Sequence, residues 1–324
     1  MTGAALAQVA LALAAAPLLP GIINRVKAVV AGRRGSPILQ AWYDIGKLMG
    51  KSAVYSTTTT WLFRAGPVVG VSATALCVAL LPWAGVPSLF AFDGDFILLA
   101  GLLALTRFMT ISAALDTGSA FEGMGSSREA WFSSLGEPAL LLGLVALARV
   151  HGSISLAGLL AGGGAAIGGG AQSAFGGAQS AFGGAVVVLV AAALFIVFLA
   201  ENARIPVDDP TTHLELTMIH EVMVLDHGGI DLAYIQYAAS LKLWVLGGVV
   251  TALLVPRTGA WYLDLPAAAL GLGAVALITG VVESVIARLR LFRVPQLLVA
   301  ALAMSAVGLA LALVPGVPRP GVTP

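Results

Sequence analysis

Long apolar runs broken by short polar segments organise this chain of 324 residues. A helix needs about 20 mostly apolar residues to cross a bilayer. Eight stretches meet that requirement, at roughly 3–23, 66–90, 94–115, 136–160, 184–201, 233–255, 265–283 and 295–315. The runs are continuous rather than alternating, which predicts helices and not barrel strands. Polar segments at about 24–65, 116–135, 161–183, 202–232, 256–264 and 284–294 separate them. The expected fold is an all-α polytopic membrane protein of about eight transmembrane helices. Residues 1–315 form a single integral membrane domain, and 316–324 form a short outer tail.

The basic residues give this pattern a direction, because Lys and Arg collect on the inner side of a membrane. With the N-terminus outside, the inner segments 24–65, 116–135, 202–232 and 284–294 carry 12 of the 17 Lys and Arg, and three are assigned to the outer side: Arg149, in the fourth span, with Arg257 and Arg319. An even number of spans then puts the C-terminus outside as well. No Lys or Arg precedes the first apolar run, so it reads as a retained helix and not a signal peptide. The heptapeptide GGAQSAF occurs twice, at 169–175 and 176–182. It reads as a tandem duplication in a tolerant outer spacer, or as a functional flexible loop.

Composition narrows the function. The chain is 59% hydrophobic and 10% charged, with a mean hydropathy of +0.96, whereas a soluble domain is about 25% charged. A net charge of +1 gives no general basic field for nucleic acid. The one cysteine, Cys77, excludes an intramolecular disulfide and an all-cysteine iron–sulfur site. There is no phosphate-binding glycine loop and no nucleophile with its base. The chain is expected to have no catalytic centre and no metal or cofactor of its own.

Polar chemistry concentrates in ENARIPVDDPTTHLELTMIHE, residues 201–221. Residues 201–231 hold seven of the chain's 16 acids, and carboxylates at a membrane margin are the usual material of proton relays. Thr212 and Glu215 fit a capping box, and a helix over about 213–225 is expected, with Leu214, Met218, Val222 and Leu225 on one face. Glu215 is then either the cap or a protonatable acid. Glu221 is either a solvated side chain or part of a proton path. His213 and His220 share a face, but two histidines without a third ligand are a weak metal signal.

Other ionisable groups lie at or inside the spans. Glu137 opens the fourth, Glu283 lies near the inner end of the seventh, and Lys242 lies about ten residues into the sixth. Burial of such groups is costly, which makes them functional candidates; Lys242 could instead snorkel to the interface. The segment RRGSPILQAWYDIGKLMGK, 33–51, repeats Ile38, Trp42, Ile45 and Met49 at helical spacing. It predicts a helix lying on the inner membrane surface or a docking platform for a soluble partner.

These segments together resemble the respiratory complex I subunit 1 superfamily over nearly the whole chain. In the acidic loop Glu201, Asn202, Arg204, Pro206, Asp208, Glu215 and Glu221 match in order. Gln40, Asp44 and Lys47 match in the first inner loop, and Arg128 and Glu137 in GSSREAWFSSLGEP. ESVIARLRLFRVPQ, with Arg288 and Arg290, resembles the last inner segment. DDPTTHLELTMIHEVMVLDHGG is similar to the membrane subunit of formate-hydrogenlyase and related nickel–iron hydrogenase complexes. The wording after Asp208 departs from the quinone-reducing version.

The resemblance implies a membrane-anchoring, proton-coupling subunit. It would join a cytoplasmic arm, made of a hydrogenase-like large subunit and an iron–sulfur small subunit, to antiporter-like membrane subunits in the inner (plasma) membrane. The partners would carry the iron–sulfur clusters and a nickel–iron site. Glu137, Glu201, Glu215, Glu221, Lys242 and Glu283 are the implied proton-path and coupling residues. Gln40, Asp44, Lys47, Arg128, Arg204, Asp208, Arg288 and Arg290 are the implied ion-pair and docking residues. A quinone-site subunit of an NADH:quinone oxidoreductase is the alternative.

Overall fold

The computed structural model describes residues 2–161, 178–208, 218–287 and 289–314. The regular elements of the described residues are all helices, with no strand. The first apolar run forms two helices, α1 (Thr2–Ala15) and α2 (Leu18–Val30), bent by 42°. The break falls at Pro17, which has no N–H to return to the Leu13 carbonyl and so cannot continue the helix without a kink. Then follow α3 (Gln40–Met49), α4 (Trp61–Leu80), α5 (Asp95–Asp116), α6 (Ala120–His151) and α7 (Leu156–Ala161). After these come α8 (Ala178–Glu201), a 3-10 turn at Glu221–Val224, α9 (Gly229–Leu254), α10 (Trp261–Val285), a second 3-10 turn at Leu291–Arg293, and α11 (Val294–Leu313).

Seven helices are long and apolar enough to cross a membrane, or eight if the bent α1–α2 pair is one span. Helix α9 is the most buried of them. It packs on α4, α10, α8 and α3, while α11 packs on α6 and α8, and α2 on α10. One contiguous apolar core runs through Leu144, Leu147, Val186, Val190, Leu241 and Val245. Helices α2 and α10 approach closely because residue 280 is glycine: a Cβ there would stand 2.7 Å from the Val26 Cβ.

The span limits differ from the hydropathy pattern in ways that have local causes. Helix α4 runs over 61–80 and not 66–90, because Leu81 precedes Pro82 and takes an extended conformation. Helix α6 starts at Ala120 rather than 136 and stops at the left-handed Gly152 rather than 160. The polar residues of 120–135 are part of this helix, and Glu122, Ser126 and Glu129 turn into the protein, at 1%, 1% and 6% exposure. A hydropathy window reads that stretch as a loop because it cannot see which way its polar groups face.

The expected helix over 213–225 does not run through its second half. Residues 218–220 are not helical, and 221–224 form one 3-10 turn. The reason is Asp208, whose Oδ2 accepts the backbone N–H groups of Ile219 (3.2 Å) and His220 (3.0 Å) in place of helical carbonyls. Met218 and Val222 are buried as expected, but Leu225 is exposed. Thr212, His213, Glu215 and Arg288 lie outside the described residues, as do the tail 316–324 and most of the GGAQSAF repeat. The amphipathic segment 33–51 becomes helical only from Gln40; Ile45 is buried, whereas Ile38 and Met49 are exposed.

Candidate functional site

Arg107 sits in the middle of α5, inside the apolar run FILLAGLLALTRFMTISAAL. A guanidinium there carries five donors and cannot shed its charge, so it must collect acceptors. It is buried and ion-pairs with three carboxylates: Glu137 and Glu129 from α6, and Glu201 at the end of α8. The Arg107–Glu129 separation is 3.3 Å. The Glu129 and Glu201 side chains are also buried, while that of Glu137 is 41% exposed. On the far side of Glu201, the Lys242 ammonium of α9 lies 3.9 Å from Oε2. On the far side of Glu129, His220 Nδ1 lies 3.5 Å from Oε2.

The turn after α8 sets Glu201 in place. Arg204 N–H donates to the Leu199 carbonyl at 2.9 Å, and Ala203 N–H to the Ala200 carbonyl at 3.2 Å. This is a Schellman cap, with Ala203 at φ 51° where glycine is the usual residue. The Asn202 side chain donates to the Phe198 carbonyl at 2.8 Å. Glu201 therefore ends the helix, where the negative end of the dipole disfavours a carboxylate. Arg107 and Lys242 offset that cost.

The same turn sends Arg204 to a second cluster. Glu283, whose side chain is fully buried on α10, lies 2.8 Å from Lys27 Nζ on α2 and 3.4 Å from Arg204 Nη1. Between the clusters lies a cavity of about 240 Å³. Its polar lining includes Glu201, Arg204, His220, Glu221, His227 and Lys242, and it has room for several waters. The His227 imidazole stacks on Phe63 at 3.9 Å, and burial pushes it down to about 4 from its ordinary 6.5. His227 thus faces the cavity neutral near pH 7.

Of the residues expected from sequence, Glu137, Glu201 and Lys242 meet around Arg107, Arg204 meets Glu283, and Glu221 lines the cavity. Lys242 is turned inward to Glu201 and does not snorkel; its side chain is 13% exposed. Asp208 holds the loop backbone, and Arg128 holds the Met218 carbonyl at 2.9 Å. Gln40 donates to Asp44 at 2.8 Å on α3, away from both clusters, and Arg290 is exposed. The sequence reading missed Arg107, Glu129 and Lys27 as partners. A lone arginine within an apolar run was the available signal for the first. Among the described residues, no group of three or more His, Cys, Asp or Glu could hold a metal ion.

Comparison with known proteins identifies the framework. The NADH dehydrogenase family profile matches residues 3–314. Formate hydrogenlyase subunit 4 of Escherichia coli (strain K12) is 31% identical over 299 residues, 90% of this chain and 92% of that protein. Hydrogenase-4 component C of the same organism is 33% identical over 252 residues, 78% of this chain and 75% of that protein. A chain in the structure of the membrane-bound sulfane sulfur reductase, an archaeal respiratory membrane complex, shares the fold. Its TM-score is 0.76 at 23% identity, with 95% of this chain and 98% of that chain covered. The chain is therefore a multi-pass, complex-I-related membrane subunit, and it belongs to the NADH dehydrogenase family of the complex I subunit 1 type.

Proposed function

We propose that this chain is the membrane-anchoring and proton-coupling subunit of a hydrogenase-type, formate-hydrogenlyase-like oxidoreductase. Its likeness to formate hydrogenlyase subunit 4 and hydrogenase-4 component C supports that branch. In this reading α3 and the acidic loop face the cytoplasm and receive a hydrogenase-like large subunit and an iron–sulfur small subunit. Antiporter-like subunits flank the chain in the inner (plasma) membrane, with both of its termini outside. The docked arm carries the iron–sulfur clusters and the nickel–iron site; this chain binds neither and has no catalytic centre.

The observation that carries the reading is the Arg107 cluster opening on the cavity. Three carboxylates face two fixed cations, Arg107 and Lys242. With all five groups ionised, the three carboxylates and two cations sum to one net negative charge, which one further proton would neutralise. A change of charge in the docked arm alters the local field, and the cluster answers by taking up or releasing that proton. Glu201 is the member that touches both cations and lines the cavity. Glu137 is the member open to the surroundings.

The test is Glu201→Gln in the assembled complex reconstituted into liposomes, measuring protons moved per electron transferred. The amide keeps the shape and removes the charge. The ratio is expected to fall while assembly and electron transfer persist. An unchanged ratio in a normally assembled complex refutes the role of Glu201.

A further inference from the structure

Trp42 on α3, Tyr237 on α9 and the break in the first span meet at one point. The missing N–H of Pro17 leaves the Leu13 carbonyl without its helical donor. The freed carbonyl, on a half-buried residue, is left to find another partner. The Tyr237 hydroxyl donates to that oxygen at 2.9 Å, and the Trp42 indole Nε1–H donates to the adjacent Ala14 carbonyl at 3.2 Å. The two rings touch, with centroids 5.9 Å apart. Two helices thus hold the kink of a third through side chains whose polar ends fit the carbonyls it exposes.

Backbone contacts fix both flanks of α3. A Cβ on Gly21 of α2 would stand 2.0 Å from the Ile38 carbonyl oxygen, so the chain entering α3 lies directly on α2. A Cβ on Gly229, at φ +54°, would stand 2.5 Å from the Ser52 carbonyl oxygen, so the chain leaving α3 lies on the start of α9. The opposite face of α3 is free: Tyr43, Asp44 and Lys47 are exposed. Tyr237 and Lys242 lie on the same helix, separated by about 7.5 Å of axial rise.

We propose that Trp42 and Tyr237 form a positioning clamp that locks the kinked first span and ties α3 to the helix carrying Lys242. The clamp on the kink stands on geometry alone. Its coupling consequence rests on the proposed function, in which a partner sits on the polar face of α3. Rotation of α3 between its fixed flanks moves the Trp42 ring against Tyr237, and a continuous helix carries that shift to Lys242 and to its distance from Glu201. Elements of this kind transmit between sites when both ends bias the same packing.

The test uses the assembled complex with Trp42→Phe, Tyr237→Phe and the double variant; each stays aromatic and loses its donor, Tyr237→Phe with its ring unchanged and Trp42→Phe with a phenyl in place of the indole. Non-cysteine spin labels at the exposed positions 6 and 29 report the distance across the kink. Each lost hydrogen bond is expected to shift the population of straightened conformers about 2- to 12-fold. The distance distribution therefore broadens, most in the double variant. Protons moved per electron are expected to fall while electron transfer stays within about two-fold, a loss that a purely structural role would not produce. A parent-like distribution in the double variant overturns the clamp. A broadened distribution with an unchanged ratio overturns its link to Lys242. An unchanged ratio in Glu201→Gln defeats the coupling role assigned to that residue and leaves the distance test of the clamp intact.

Discussion

Replacing Arg107 with leucine asks directly whether the cluster is held by charge. At an effective dielectric of about 20, a unit charge pair at the Arg107–Glu129 separation of 3.3 Å is worth about 5 kcal/mol. The cost of removing both ions from water cancels much of that gain, so the pair adds little net stability over a well-packed apolar pair. Removal of one partner is different, because it strands buried charge, at a cost of about 3–5 kcal/mol. Arg107→Leu strands the buried Glu129, leaves the buried Glu201 with Lys242 as its one cation, and frees the more open Glu137. A loss of at least about 3 kcal/mol is expected in the unfolding of the purified chain in mixed detergent micelles. Arg107→Leu and Glu201→Leu each remove the same Arg107–Glu201 pair, so the double variant should recover at least about 1 kcal/mol relative to the sum of the singles. A single variant within about 0.5 kcal/mol of the parent, or strict additivity, would refute the reasoning.

Two further predictions concern the frame around the site. The His227 imidazole has a folded value of about 4 against an ordinary 6.5, so between those values the unfolded chain binds more protons. Stability should therefore be complete above about pH 6.5 and fall as the pH drops towards 4. Unfolding midpoints of the parent and His227→Phe at pH 7 and 4.5 check this, and parallel pH profiles would contradict it. Gly21→Ala pushes a methyl group into the Ile38 backbone and should cost about 1–3 kcal/mol. Gly46→Ala, in α3 with nothing within 4 Å of the added carbon, should gain up to about 1 kcal/mol; equal effects at the two positions would refute the close approach.

Much of the candidate site was legible because intramembrane charge is rare. Glu137, Glu201, Lys242 and Glu283 stand out against apolar runs, and each has an ionic partner in the fold. Glu129 did not stand out, because it lies in a polar stretch that hydropathy assigns to a loop. Only the continuation of α6 through that stretch turns it towards Arg107. Lys27 sits among the basic residues of the first inner segment, where charge looks like topology. The packing of α2 on α10 instead brings it to a fully buried Glu283.

The sequence by itself determined the all-helical membrane class, the number of apolar runs and the residues that could carry charge inside them. Those follow from hydrophobic length and from the cost of burying an ion, and both are properties of short stretches of chain. Which charges meet was decided by the tertiary structure alone. Arg107, Glu129, Glu137, Glu201 and Lys242 come from four helices. Their separations depend on how those helices pack, and no local pattern records that. The kink shows the same division. Pro17 announces a break, but only the docking of α3 and α9 supplies Trp42 and Tyr237 to hold it at 42°.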